Sequence, residues 1–433
     1  ATGLGWGGGH RGGGLWRDFE EQGDAGRALA AMKDASRYTR GHLSRDAVHA
    51  LYGGAVTLSA SRMDMARSCH FAYFMRYGLK ARERTGAGFD APQIGTFVHD
   101  VMEHTLRQAK ECGGLHTLST DKLHALVRAS IEEYIDRVLP DLCEKSARFR
   151  YLFNRLCATV ERIMDEVSEE LQSSDFEPLA FELEFGADGQ LPAIPIREEN
   201  GTARVVGKVD RVDGWLHDGK LYLRVVDYKT GKKSFDLAEL RYGLGLQRLL
   251  YLFTLKEEGR MLVGGHGIVP AGVLYTPARE PMLRCARDTE PEKIEKALKK
   301  ELRRSGMVLE DPAVLQAMEH SALESPCYLP IAVKRDGAVT GSLASAEQLG
   351  KLSKYVDHIL HEITQEVFAG NIDADPYART PQQSVCTYCE FASACHFENG
   401  CGSDRMEYIK ATKNDEFWQY IDEVNGEGAH ENG

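Results

Sequence analysis

The sequence predicts an α/β fold in which a mixed central β-sheet is flanked by helices. Three observations lead there. Residues 205–231, VVGKVDRVDGWLHDGKLYLRVVDYKTG, read as two apolar strands joined by Asp218-Gly219, a dipeptide suited to a two-residue type I′ turn. Gly267 to Tyr275 is a further apolar run of strand length that continues the sheet. Long stretches with apolar residues at helical spacing lie on both sides of these strands.

In chain order, the opening ATGLGWGGGHRGGG is too glycine-rich to pack and reads as a flexible tail. Residues from Leu15 to Leu51 look helical and polar. In TLSASRMDMARSCHFAYFMRYG, Ser59 or Ser61 caps a helix with an aromatic face of Phe71, Tyr73, Phe74 and Tyr77, closed by Gly78, with Cys69 inside it. Ile94 to Ala109 is helical and sets His99 one turn from Glu103. Helices follow over Lys122–Val138 and Arg150–Gln172, then a short alternating strand, Phe181–Phe185. After the hairpin, one helix from Leu237 to Leu255 places Gln247 and Tyr251 one turn apart. Two further helices are expected over Glu290–Arg304 and Ser345–Phe368, and the polar end from Gly426 reads as disordered.

The 433 residues leave room for two or three domains and a large core. A net charge of −12 argues against a protein that coats nucleic acid nonspecifically, but not against an enzyme that holds phosphate through local cations. No apolar run is long enough to span a membrane and no signal peptide is evident, so a cytoplasmic setting is expected. There is no GxxxxGK[ST] loop for ATP. The chain starts with Ala, which reads as a piece of a longer protein.

The hairpin carries the chemistry. Counting outward from Asp218-Gly219 pairs His217 with Lys220 and Trp215 with Tyr222, and brings Asp210 opposite Asp227. Opposed residues lie roughly 5 Å apart at Cβ, so two carboxylates would share one small space and call for a cation between them. Strand alternation puts Lys229 on the same face as Asp227. Two acids and a lysine in that arrangement suit a Mg²⁺ site that hydrolyses phosphodiesters, the ion polarising phosphate and activating water while the lysine offsets developing charge. The competing reading is an ordinary hairpin ending in solvated acids, and a bulge at Gly214 would shift the register by one.

Ten cysteines in such a setting are free thiols or metal ligands rather than disulfides. CTYCEFASACHFENGC clusters Cys386, Cys389, Cys395 and Cys401. A local zinc site would use all four; an iron–sulfur cluster would take the first three with one distant cysteine. Spacing leaves both open.

Taken together, GTFVHDVME, GKVDRVD, VVDYKTG and QRLLY resemble the successive motifs of the RecB-type nuclease domain of the PD-(D/E)XK superfamily. SASRMDMARSCHFAYFMRYGLK paired with the distant CTYCEFASAC resembles, more narrowly, the nuclease end of the AddB family. The resemblance covers roughly Leu51 to Phe397. It implies that His99, Asp210 and Asp227 bind the metal, that Lys229 is the catalytic lysine, and that Gln247 and Tyr251 contact DNA or support the site. It implies that Cys69 joins Cys386, Cys389 and Cys395 around a [4Fe–4S] cluster stapling the two ends of the domain; Cys401 lies outside the family pattern and keeps zinc open. It also implies an AddA-type helicase–nuclease partner and 5′→3′ cutting of single-stranded DNA from unwound duplex in double-strand-break repair and homologous recombination. The expected layout is a connecting region over 1–56, a nuclease domain over 57–425 and a tail over 426–433. Two alternatives remain: a stand-alone iron–sulfur exonuclease of the CRISPR-adaptation kind, and a non-catalytic, metal-stapled DNA-binding scaffold.

Overall fold

The computed structural model of the chain describes residues 26–28, 30–31, 40–82, 91–186, 189–231, 235–259, 265–286 and 288–431. The glycine-rich start and most of the stretch from Leu15 to Arg40 lie outside these. At the centre, Asp218 and Gly219 both take positive φ, 48° and 72°, as a type I′ turn requires. From that turn the ladder runs without a slip: His217 faces Lys220, Trp215 faces Tyr222, Gly214 faces Leu223 and Arg211 faces Val226. Asp210 and Asp227 are the next positions outward.

The hairpin strands, Gly207–His217 and Lys220–Lys229, form the middle of a six-stranded mixed sheet. Glu177–Phe185 runs antiparallel to the first and brings Glu182 level with Asp210, between the pairs Phe181–Arg211 and Leu183–Val209. Gly267–Pro277 runs parallel to the second along its whole length, and Ser305–Leu309 and Leu343–Ala344 complete the sheet. The helices Ala91–Glu111, Thr120–Val138 and Ala147–Gln172 pack on one another through buried stripes such as Phe97, Val101, Val127, Val160 and Met164. Side-chain alternation sends Arg224 and Tyr228 to one face of the sheet and Asp227 and Lys229 to the other. The first face meets Glu170 of helix Ala147–Gln172; the second meets Arg248 of helix Gln247–Glu258. Helices therefore cover both faces. Among the described residues no helix is long and apolar enough to cross a membrane.

Three elements differ from expectation. Cys69 is not inside a helix: Ala60–Ser68 ends there and His70–Tyr73 starts anew, with Cys69 extended at φ −175°. The break is held by Asp375, which accepts the backbone N–H of His70 at 2.9 Å and meets its ring Nδ1 at 2.5 Å. The expected helix Leu237–Leu255 is two helices, Leu237–Arg241 and Gln247–Glu258. Between them Gly243 takes φ 76° where an added Cβ would stand 2.8 Å from Nε of Arg67. Finally, the end of the chain is helical over Asn414–Glu431 rather than disordered from Gly426. Phe417, Trp418 and Ile421 are buried, and Asp422 meets Lys351 at 2.8 Å, which docks that helix on Ala346–Phe368.

Candidate functional site

The acids converge where the hairpin opens. Asp210 Oδ2 accepts the backbone N–H of Tyr228 at 2.8 Å, and Oδ1 lies 3.4 Å from His99 Nδ1. His99 arrives from the helix Ala91–Glu111, and its Nε2 sits 3.1 Å from the Tyr228 carbonyl. That contact places a proton on Nε2 and turns Nδ1 toward the acids. Burial pulls the His99 pKa down, but Asp210, Asp227 and Glu182 outweigh it and the net shift is upward. Burial likewise pushes Asp210 up, yet His99, the Tyr228 N–H and Lys229 hold it below the ordinary carboxylate value. His99 and Asp210 thus favour each other's charged forms.

Asp227 stands beside this group under different control. Its Oδ1 takes both Nε and Nη2 of Arg248, at 2.9 and 2.7 Å, and Arg248 is itself buried over the Tyr275 ring, 4.6 Å from its centroid. Its Oδ2 lies 2.7 Å from Lys229 Nζ, out of line for a hydrogen bond, so this buried oxygen has no hydrogen-bond partner. A buried carboxylate oxygen with no hydrogen bond leans on charge alone, here the Lys229 ammonium.

His99, Glu182 and Asp210 form the tight set: among the described residues, they alone offer three ligand atoms all within 4.8 Å of one another. The sequence did not point to Glu182. It occupies a strand position at φ 49°, a left-handed conformation that a non-glycine residue adopts only when its surroundings compel it. Burial raises its pKa, while Lys208, 2.5 Å away, draws it back. Arg248 was also missed, although it sits inside the QRLLY segment. The signal for both was weak: a Glu in the alternating FELEF, and a lone Arg in an apolar helix.

Gln247 and Tyr251 do come together, Gln247 Nε2 donating to the Tyr251 hydroxyl at 2.9 Å. That hydroxyl also accepts the backbone N–H of Lys208 at 3.2 Å. Gly207 makes room for it, since a Cβ there would fall 1.8 Å from the hydroxyl oxygen. The pair therefore braces the strand that carries Asp210.

Behind Tyr228 lies a buried ionic network. Arg211 grips Asp213 through Nε and Nη2, at 2.8 and 2.9 Å, and donates to the Tyr228 hydroxyl at 2.8 Å. Arg224 meets Asp213 at 2.9 Å and Glu170 at 3.5 Å, and Arg304 meets Glu170 at 2.6 Å. Such charges are tolerated inside only as a set, because removing one strands its neighbours. The network fixes Tyr228, whose backbone N–H and C=O orient Asp210 and His99.

At the other end of the fold, Cys69, Cys386, Cys389 and Cys395 line one cavity of about 570 Å³. Cys401 is exposed and does not line it. Burial pushes the Cys69 thiol up to about 12, and Cys386 and Cys395 are raised for the same reason. No three of these sulfurs lie within 4.8 Å of one another, whereas zinc at 2.3 Å from each sulfur would draw them to about 3.8 Å. Protein contacts tie the same two ends: Arg40 donates to the Cys395 carbonyl at 2.8 Å and pairs with Asp404 at 2.7 Å, and Arg76 meets Glu390 at 2.9 Å.

Comparison with known proteins gives one family: residues 57–396 match the PD-(D/E)XK nuclease superfamily. The chain is 30% identical over 420 residues to the B subunit of the ATP-dependent helicase/deoxyribonuclease of Ruminiclostridium cellulolyticum, an alignment covering 95% of this chain and 36% of that protein. The proteins of the same name from Acetivibrio thermocellus and Clostridium botulinum (strain Hall) are 33% and 32% identical over 88% and 86% of the chain, and over 33% and 32% of their own lengths. The chain thus spans about a third of the length of the curated relatives it matches.

Proposed function

The chain belongs to the PD-(D/E)XK nuclease superfamily, and from that premise we propose that it is a Mg²⁺-dependent deoxyribonuclease module acting on single-stranded DNA. The observation that carries this reading is the compact set of His99, Glu182 and Asp210 beside Asp227, whose buried Oδ2 accepts no hydrogen bond. These are hard oxygen donors plus one imidazole, a donor set that suits a divalent ion. His99 Nδ1, Glu182, Asp210 and Asp227 Oδ2 would hold the ion, which would polarise the phosphate and acidify an attacking water. Lys229, about a quarter exposed, would donate to that water or to the phosphate oxygens as charge builds. Arg248 keeps the Asp227 carboxylate from rotating. Gln247 and Tyr251 act by bracing the Asp210 strand.

The same reading takes Cys69, Cys386, Cys389 and Cys395 as ligands of a [4Fe–4S] cluster, supported by their shared cavity and the wide spread of their sulfurs. Cluster binding would displace thiol protons and convert binding energy into folding energy. The name the relatives carry supports placing this module in the B subunit of a helicase/deoxyribonuclease; an AddA-type helicase–nuclease partner, strands from unwound breaks and 5′→3′ polarity complete the proposal.

The test is digestion of end-labelled single-stranded DNA with Mg²⁺ by anaerobically purified protein, beside Asp227→Ala. Cleavage by the native protein alone is expected, and the position of the surviving label gives the polarity. Equal cleavage by Asp227→Ala would remove the metal-site assignment.

A further inference from the structure

Next to the acids lies a second feature that the nuclease reading does not use. A cavity of about 390 Å³ opens between the start of helix Ala147–Gln172 and the end of the hairpin, lined by Ile94, Phe149, Leu152, Leu156 and Thr230, with Arg155, Arg279 and Glu280 as its charged walls. Its place is set by the site itself. Thr230 follows Lys229 directly. Ile94 stands five residues before His99 on the same helix, about 7.5 Å of axial rise.

The helix that walls it is unusual for this chain. Over ARFRYLFNR, Arg148, Arg150 and Arg155 alternate with Phe149, Tyr151, Leu152 and Phe153. Arg148 and Arg150 are exposed and have no carboxylate partner among the described residues. Tyr151 and Leu152 are 63% and 51% exposed, a large apolar surface for a solvent-facing helix. Arg155 pairs with Glu280 at 2.9 Å, but both side chains are about half exposed, and such surface pairs are weak and readily exchanged. In a chain of net charge −12, this is a local run of cations interleaved with apolar and aromatic groups. Basic grooves set with stacking surfaces are how proteins hold single strands without reading sequence.

We propose that this cavity receives a nucleobase flanking the scissile phosphate of the single strand, with Phe149 and Leu152 as its apolar walls and Arg148 and Arg155, on the same side of the helix, along the backbone. The inference rests on the nuclease reading and names where its substrate lies. The pocket accepts any base, because stacking and apolar contact do not depend on base identity. It thereby gives the site a way to hold a strand in register without sequence preference.

The experiment measures the affinity of the full chain for fluorescent single-stranded DNA in Ca²⁺, which supports binding without turnover, using oligonucleotides with one abasic position moved stepwise from the end. The native protein should lose about tenfold in affinity at one position. In Leu152→Ser, chosen because Leu152 is exposed and its loss leaves the core intact, that position should become indistinguishable from its neighbours. Arg148→Gln should weaken binding equally for every oligonucleotide and reduce its salt dependence. A flat abasic profile in the native protein, or a profile that survives Leu152→Ser, overturns the proposal while leaving the nuclease reading intact. Absence of both DNA binding and cleavage overturns the two together.

Discussion

The acid site and the cysteine cavity are built on opposite plans. The acid site is local: Asp210, Asp227 and Lys229 lie on one hairpin, and its turn sets their register. Its groups are also mutually uncomfortable, with three carboxylates gathered around one imidazole, a buried oxygen without a hydrogen bond and a glutamate in a left-handed conformation. The cysteine cavity is long-range, joining Cys69 to residues more than three hundred positions away, and contacts of Asp375, Arg40 and Arg76 tie those distant segments together. Under the proposed function, the first region stores strain for chemistry and the second holds the fold closed. Mutations should separate the two roles.

The largest effect is expected in the acid site. Asp210→Asn removes one of the facing charges and should lower the cleavage rate on the order of 10³-fold. Because His99, the Tyr228 N–H and Lys229 favour that charge in the fold, the melting temperature without metal should fall slightly. Parallel cleavage assays and calorimetry check this; a clear fall in melting temperature with intact cleavage would reverse the roles assigned to the two regions.

Cys69→Ser should do the converse. Iron content should fall, and the melting temperature should drop by several degrees, since a ligand lost from a structural cluster is folding energy lost. Cleavage measured well below that temperature should change far less. Iron analysis and a thermal scan under argon test it. Unaltered metal content would instead favour a local site that includes Cys401.

How much of this was legible follows from the same contrast. The hairpin register could be counted from Asp218-Gly219 because a type I′ turn leaves the strands no freedom, so the approach of Asp210 and Asp227 followed from local rules. Glu182 escaped because its meeting with Asp210 depends on a third strand whose register no turn sets. Arg248 escaped because a buried arginine is indistinguishable in sequence from an exposed one on an amphipathic helix. The Cys69 break was invisible for a similar reason: the residues from Ala60 to Gly78 are helix formers, and only Asp375, three hundred positions on, interrupts them. The helix Leu237–Leu255 was overextended because Gly243 and Gly245, tolerable inside a helix, are needed here for positive φ. The helical end beyond Gly426 was hidden by its polar composition, while its anchors, Phe417 and Trp418, lie upstream.

A smaller effect sharpens the acid side of the contrast. Arg248→Lys keeps the positive charge near Asp227 but loses the two-nitrogen grip on Oδ1, which a lysine cannot reproduce. The Mg²⁺ concentration at half-maximal rate should therefore stay within about twofold, while the maximal rate falls about tenfold through a less fixed carboxylate. A metal titration of the rate separates these. A large change in Mg²⁺ requirement with an unchanged maximal rate would mean that Arg248 acts through charge rather than orientation.

The smallest effect concerns pH and belongs to the cysteine side. Burial pulls the His70 pKa down, but its contacts with the Asp375 and Glu366 carboxylates prevail and lift it to about 9 from an ordinary 6.5. A raised folded value means that the protonated imidazole binds its partners in the native state. Its contribution is fully present below about pH 6.5 and is lost as pH climbs through about 9. The melting temperature should accordingly slope downward across that window, and His70→Gln should flatten the slope while leaving the acid-site cleavage rate at pH 7.5 nearly unchanged. A slope that persists in His70→Gln would assign the pH dependence elsewhere, and would leave Asp375 as a partner of the His70 backbone alone. That outcome would also weaken the view that the break at Cys69 is held by charge, because the ring contact is the only part of the Asp375 interaction that titrates near neutrality.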